Sequence, residues 1–240
     1  YFFIRGDICD YELVSTLCQQ NDIDAIFHFA AESHVDNSIK TPKSFIETNV
    51  LGTFHLLEVV RAMPHIHFHH ISTDEVYGSL SYDGTFTEES IYRPSSPYSA
   101  SKAASDHFVR SYGATYGIPY TLSNCSNNYG PYQFPEKMIP LFIAKLRAGE
   151  KVPVYGDGQQ IRDWIHVGDH VRGIDACLQK GELGETYLFG DDNEVRNLDL
   201  TKKLIELVGA SEDMIEFVKD RPGHDRRYAT DSRKAHEQLG

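Results

Sequence analysis

The run from Ile23 to Ala31 is apolar on both faces apart from Asp24 near its start and His28. A strand with one wet face alternates polar and apolar residues, so a run apolar on both faces belongs in a sheet covered on both sides. Such sheets are parallel and return through helices. The rest of the chain keeps to that pattern. Phe2 to Ile8 predicts a short buried strand, and Tyr11 to Gln20 a helix with Leu13, Val14, Leu17 and Cys18 as its apolar set. Thr41-Pro42 opens a long helix that Pro64 ends, and His65 to Ser72 is the next strand. Pro97 to Tyr116 predicts a second long helix, Tyr120 to Ser126 a strand and Ile139 to Arg147 a helix. Beyond lie the stretches Val152–Tyr155 and Ile161–Val167, a helix from Asp169 to about Gln179, a short strand at Thr186–Phe189, a helix from Asn197 to Val208, and a shorter, more irregular remainder that includes Ile215–Val218. Asn197 or Asp199 is the expected cap of the second of these helices. The expectation is an α/β fold, a doubly wound parallel sheet with a smaller C-terminal lobe, and a loose boundary near Gly130 between residues 1–130 and 131–240.

With 240 residues, 40% of them hydrophobic, the chain has material for a sizeable core. Its net charge of −12 opposes nucleic acid or an anionic membrane as main partner. No apolar run approaches the roughly 20 residues a membrane helix needs. Cys9, Cys18, Cys125 and Cys177 show no CxxC spacing, which fits a reducing cytoplasm better than a zinc knuckle or disulfide framework. The chain opens on Tyr1-Phe2-Phe3-Ile4 without Met, as if a strand were under way, and closes in or just after a helix, which suggests a fragment.

Chemistry concentrates between Ser72 and Lys102. In open parallel sheets ligands bind beyond the carboxyl ends of the strands, where Thr73, Asp74 and Glu75 fall. Tyr98 and Lys102, four apart, share one face of a helix. A tyrosine with an ordinary pKa of about 10 is a poor base at neutral pH, and bringing it near 7 takes roughly 4 kcal/mol. A nearby ammonium supplies part of that by stabilising the phenolate. Each feature also has an ordinary reading: Tyr-xxx-Lys recurs by chance on amphipathic helices, and adjacent acids often end a strand as solvated turn residues. On the strand, His65, His67 and His69 fall on one face and His70 on the other. That arrangement completes no metal site and suits a partly exposed strand end.

Taken together, Ser72-Thr73-Asp74-Glu75-Val76-Tyr77-Gly78 and Tyr98-Ser99-Ala100-Ser101-Lys102 resemble the extended short-chain dehydrogenase/reductases, and within them the dTDP-glucose 4,6-dehydratase family. The stretches His28–Asp36, Asn124–Pro131, Ile161–Val167 and Arg221–Tyr228 agree, so the resemblance covers nearly the whole chain. Its most specific element is the Asp74-Glu75 pair, which the family's 4-epimerases usually lack. The resemblance implies a Rossmann-like NAD-binding domain over 1–130 and a nucleotide-sugar lobe over 131–240. It also implies a lyase that oxidises the sugar at C4, eliminates water across C5 and C6, and reduces C6. Tyr98, with Lys102 and Thr73, would serve the oxidation; Glu75 would be the C5 base and Asp74 the C6 acid.

By the same resemblance, Asp7, Ile8, Ala30, Ala31 and Thr48, with Tyr98 and Lys102, would touch the cofactor. Ser33, Thr73, Asn127, Glu136, Lys137, Arg162, Asn197, Arg221 and Tyr228 would touch the nucleotide sugar. A homodimer is implied, with the helices around Phe54 and Phe108 as candidate interface. One departure stands out: the family's Gly-rich turn, G-x-x-G-x-x-G, is absent, as is the acidic residue that separates NAD from NADP. These 240 residues alone are therefore expected to hold the cofactor weakly. Alternatives are the same reaction on a UDP-sugar, a 4-epimerase or decarboxylase on this fold, and a non-catalytic fragment.

Overall fold

A computed structural model describes residues 1–240. The chain forms α1 (Tyr11–Gln20), β1 (Ala25–His28), α2 (Val35–Lys40) and α3 (Pro42–Phe45). The long helix expected from Thr41 is continuous but not uniform: after α3 it widens to a π-helix over Ile46–Gly52 and then becomes α4 (Thr53–Ala62). Next come β2 (His67–Thr73), a 3-10 turn at Asp74–Tyr77, α5 (Pro97–Tyr116), β3 (Tyr120–Cys125), β4 (Asn127–Tyr129) and α6 (Met138–Arg147). The rest comprises β5 (Val152–Tyr155), β6 (Ile161–His166), α7 (Val167–Lys180), β7 (Thr186–Phe189), β8 (Glu194–Arg196), α8 (Asn197–Val208), β9 (Ile215–Val218) and α9 (Arg233–Leu239).

The main sheet is four-stranded and parallel in the order β1-β2-β3-β7. One face is covered by α1, α4 and α5, with Leu57, Val59, Val60, Ile66, Phe68, Val109 and Leu122 closed to solvent between them. On the other face Tyr187 and Phe189 of β7 pack with Cys177 of α7 and Leu239 of α9. At the carboxyl end of the sheet, β4, β6 and β8 form a three-stranded sheet and β5 pairs with β9. Phe142 and Leu146 of α6 and Leu204 and Ile205 of α8 close over Val152 of β5. The parallel α/β architecture is the one expected, and β7 returns from late in the chain to the main sheet.

Some expectations fail for identifiable reasons. Phe2 to Ile8 forms no strand, and Tyr1 to Ile4 are exposed. A strand needs a ladder for its backbone groups, and these residues find no neighbouring strand to pair with. Neither Asn197 nor Asp199 caps α8: Arg196 occupies that position, without a side-chain hydrogen bond, and Asn197 is the first helical residue. The histidine run is a partly exposed end only at its start, where His65 is exposed and His67 half-buried. His69 and His70 are buried, because β2 lies between β1 and β3 under covered faces. Alternation does separate them, since His67 and His69 share the Thr121 hydroxyl while His70 faces Asp106.

Candidate active site

β2 delivers its last residue, Thr73, at the rim of the sheet, where the chain tightens into the 3-10 turn. The Thr73 hydroxyl oxygen accepts the Glu75 N–H at 3.3 Å and so caps that turn. Gly78 closes it at φ 82° and ψ −152°, a conformation open essentially to glycine alone. The turn aims its two acids differently. Asp74 is buried, with the Thr73 hydroxyl 3.3 Å from Oδ1 and Oδ2 unpartnered. Glu75 is only partly buried and reaches the wall of a cavity.

Both carboxyls are pushed up, in each case first by burial. For Asp74 the shift is large: the charge of Glu75 adds to it, and among cations Arg162 opposes it. For Glu75 the opposing charges are Arg162, Arg221 and Lys137. Cations gather on the Glu75 side, so Glu75 is the easier of the two to ionise and Asp74 the easier to keep protonated.

Helix α5 starts with a capping box in which the Ser96 and Ser99 side chains each satisfy the other's backbone N–H, and Pro97 fills the first helical position. That fixed end carries Tyr98 beneath the turn, its ring edge-on to Phe45 and packed with Val35. Lys102 follows one helical turn later, also buried. The two do not act as expected from their spacing. Lys102 Nζ donates to the carbonyl oxygen of Ile71 at 2.7 Å, and its pKa is lowered by burial. The Tyr98 phenol is raised well above its ordinary value, first by burial and next by the charge of Glu75, while Thr73 hydrogen bonding works against the rise. Desolvation outweighs any help from Lys102, whose charge is spent on the strand end and on Asp106.

Above this floor lies a cavity of about 240 Å³ between α2, α6, β5, β6 and α8. Ser33, Asn127, Glu136, Lys137, Arg162, Asn197 and Arg221, far apart in sequence, line it together with Glu75. Lys137 Nζ donates to the Ser33 carbonyl oxygen at 2.6 Å, bridging α6 to the end of β1. Tyr228 is not on this wall: it is buried, with the Arg162 guanidinium over its ring. Thr73, Asp74, Tyr98 and Lys102 lie outside the lining.

The residues expected to meet a cofactor do not line this cavity. Ala30 and Ala31 are exposed just past β1, Thr48 is partly buried in the π-helix, and Ile8 packs against Gly52. Asp7 accepts the Cys9 N–H at 2.9 Å, a local turn contact. Wall residues absent from the expected set include His34, Tyr155, Trp164 and His224. His34 Nδ1, Trp164 Nε1 and Arg221 Nε are buried and unpartnered, so the wall offers polar atoms to a ligand. His34, Trp164 and His224 lie inside stretches already singled out by resemblance, which was the available signal; Tyr155 carried none.

A family model described as GDP-mannose 4,6 dehydratase matches residues 1–240. A dTDP-glucose 4,6-dehydratase of Xanthomonas campestris pv. campestris is 52% identical over 258 aligned residues, covering 100% of this chain and 74% of that protein. The DesIV dTDP-glucose 4,6-dehydratase of Streptomyces venezuelae, solved with NAD bound, superposes with a TM-score of 0.96 at 47% identity, over 99% of this chain and 73% of that one. A UDP-glucuronic acid 4-epimerase from Bacillus cereus, solved with UDP-glucuronic acid and NAD, is 32% identical with a TM-score of 0.92, over 99% of this chain and 74% of its own. Matched by the family model from first residue to last, and about half identical to curated dehydratases along its whole length, the chain belongs to the nucleotide-sugar 4,6-dehydratase family.

Proposed function

We propose that this protein dehydrates dTDP-glucose to dTDP-4-keto-6-deoxyglucose as an NAD-dependent hydro-lyase. The observation that carries the reading is the Asp74-Glu75 pair on one tight turn, with Asp74 buried and Glu75 at the cavity wall. Oxidation or epimerisation at C4 needs neither acid, whereas elimination across C5 and C6 needs both an acid and a base in opposite protonation states. The cavity, with Arg162, Arg221 and Lys137 facing Glu75, suits an anionic nucleotide sugar.

For the cofactor, the donor set at the floor fits the hydride-carrying end: Thr73 ends β2 with the Tyr98 phenol near its hydroxyl, and the neighbouring strand β1 leads to the exposed, small Ala30 and Ala31. Asp7, Ile8, Ala30, Ala31, Thr48, Tyr98 and Lys102 would hold NAD, which when bound supplies a hydride acceptor for C4 and later a donor for C6. Tyr98 would take the proton of the sugar C4 hydroxyl as a phenolate, a state that the positive charge of bound NAD would favour against burial, while Thr73 hydrogen-bonds the same oxygen. Once C4 is a ketone, the C5 proton is acidic and Glu75 removes it. Asp74, kept protonated by burial, gives its proton to the C6 hydroxyl, which leaves as water. Glu75 then returns a proton to C5. Ser33, Asn127, Glu136, Lys137, Arg162, Asn197 and Arg221 hold the nucleotide sugar, with Tyr228 acting through Arg162.

On this reading residues 1–130 serve the cofactor and 131–240 the nucleotide sugar. No helix is long and apolar enough to cross a membrane, and all four cysteines are free; we assign the protein to the cytoplasm. We assign it a homodimeric state through the faces around Phe54 and Phe108, to be checked by equilibrium sedimentation. The test of function is to incubate holoenzyme with dTDP-, UDP-, GDP- and CDP-glucose and follow the alkali-induced near-ultraviolet absorbance of a 4-keto sugar. The dTDP-sugar should give it most readily. A better response from UDP-glucose would move the base assignment, and none from any glucose nucleotide would defeat the reading.

A further inference from the structure

We propose that Asp106 is a positioning residue for the proton-transfer step: its buried carboxylate is the countercharge of Lys102 and ties the strand end bearing Thr73 to the helix bearing Tyr98. The inference rests on the dehydratase reading for its link to catalysis, though not for its geometry. Asp106 lies on α5 four residues beyond Lys102, on the same helix face, and is completely buried. A carboxylate so placed is costly unless its lone pairs and charge are met. Its Oδ2 accepts the Ser72 hydroxyl at 2.8 Å, the Tyr92 hydroxyl at 2.9 Å and the Asn124 amide at 3.4 Å. His70 Nε2 stands 3.1 Å from Oδ1.

These contacts reach the catalytic groups from two sides. Asn124 Nδ2 also donates to the Thr73 carbonyl oxygen at 3.0 Å, so one amide joins Asp106 to the last residue of β2. Ser72, which donates to Asp106, directly precedes Thr73. The cations near the carboxylate are Lys102 from its own helix and Arg110, which donates to the Tyr92 hydroxyl at 2.9 Å. His70 is held neutral by burial, its pKa lowered to about 4, so the full positive charge that lowers Asp106 most is Lys102, one turn away on the same face and buried like Asp106. Its Nζ bonds the Ile71 carbonyl and makes no direct ion pair with the carboxylate. Around Lys102 itself stand His70, His28, the Cys125 thiol and Asp106. The thiol is pushed up to about 12 and both histidines are pushed down, which leaves Asp106 as the charged partner near neutral pH. It opposes the fall that burial imposes on Lys102. Tyr77, also near Asp106, is raised by burial and stays neutral.

The test is a titration of Lys102 by NMR on protein labelled with nitrogen-15 at the lysine Nζ, its signal identified by loss in Lys102→Met. In Asp106→Asn the Lys102 midpoint should fall by about one pH unit or more. The pH at which kcat reaches half its maximum should move with it, while KM for the nucleotide sugar stays, because Asp106 touches no part of the cavity wall. Coincident titrations in wild type and Asp106→Asn would overturn the proposal, since a merely structural aspartate would lower stability and leave Lys102 alone. If Asp106→Asn does not fold, the double variant Lys102→Met with Asp106→Asn decides. Removing both charges should restore a folded protein with a cooperative melting transition, and a double variant that also fails to fold would count against the pairing. The Lys102 titration and the melting measurement need no substrate. An inactive wild type would therefore sink the dehydratase reading and with it the link to proton transfer, while the Lys102–Asp106 pairing would still be decided by those two measurements.

Discussion

The guanidinium of Arg162 lies over the ring of Tyr228, with its carbon 4.2 Å from the ring centre. Asp225 fastens both: its carbonyl oxygen accepts from Arg162 at 3.0 Å and its carboxylate from the Tyr228 hydroxyl at 2.6 Å. Tyr228 is thus the bed on which the cavity's central arginine rests. Stacking of this kind contributes about 0.5 to 2 kcal/mol. Tyr228→Leu should therefore raise KM for the nucleotide sugar by about 2- to 30-fold and lower kcat less. Tyr228→Phe, which keeps the ring, should cost less in steady-state kinetics. Equal damage from both would mean that the hydroxyl, rather than the ring, supports the site.

Gly78 ends the turn that carries both acids, and a Cβ there would strike the carbonyl oxygen of Arg93. Gly78→Ala must also enter a backbone region closed to side chains, at a cost of about 1 to 3 kcal/mol. Calorimetry should show melting lowered by about 2 to 4 °C per kcal/mol, and kcat should fall as the acid pair shifts. An unchanged melting temperature would show that the turn has room to relax.

Buried histidines give the fold an acid sensitivity. Burial lowers His69 to about 3, and His70 and His170 to about 4. The unfolded chain takes up these protons first, near pH 6.5, so the stability they confer is complete above that value and is lost as pH falls toward 4. For His170 alone this is about 3 kcal/mol. Asp74 and Glu75, whose values are raised, work in the opposite sense, so the readable quantity is a difference between variants. His170→Gln should lose less stability than wild type between pH 6.5 and 4 in denaturant titrations. Parallel losses would show that His170 protonates without unfolding.

Much of this was legible in the sequence because local pattern and tertiary environment agree. Helix Pro97–Tyr116 and strand Thr186–Phe189 match the structure residue for residue, one set by its cap and Pro, the other by a run buried on every face. Phe2 to Ile8 has equal strand character and forms none, because pairing depends on a neighbour that composition does not reveal. The direction of Lys102 toward Ile71 was equally hidden, since helical spacing fixes a face but not which acceptor wins. Tyr228 kept its motif position yet turned under Arg162, and Tyr155 entered the wall from β5 through a hydrogen bond to Asp36. Both outcomes come from packing between distant segments.

The central claim is that Glu75 serves elimination and not oxidation. Holoenzyme carrying Glu75→Gln, mixed with dTDP-glucose in a single turnover, separates the two. The account predicts that the near-ultraviolet absorbance of reduced nicotinamide appears and persists, with no 4-keto-6-deoxy product. Failure to reduce the cofactor, or product formation at the wild-type rate, would contradict it.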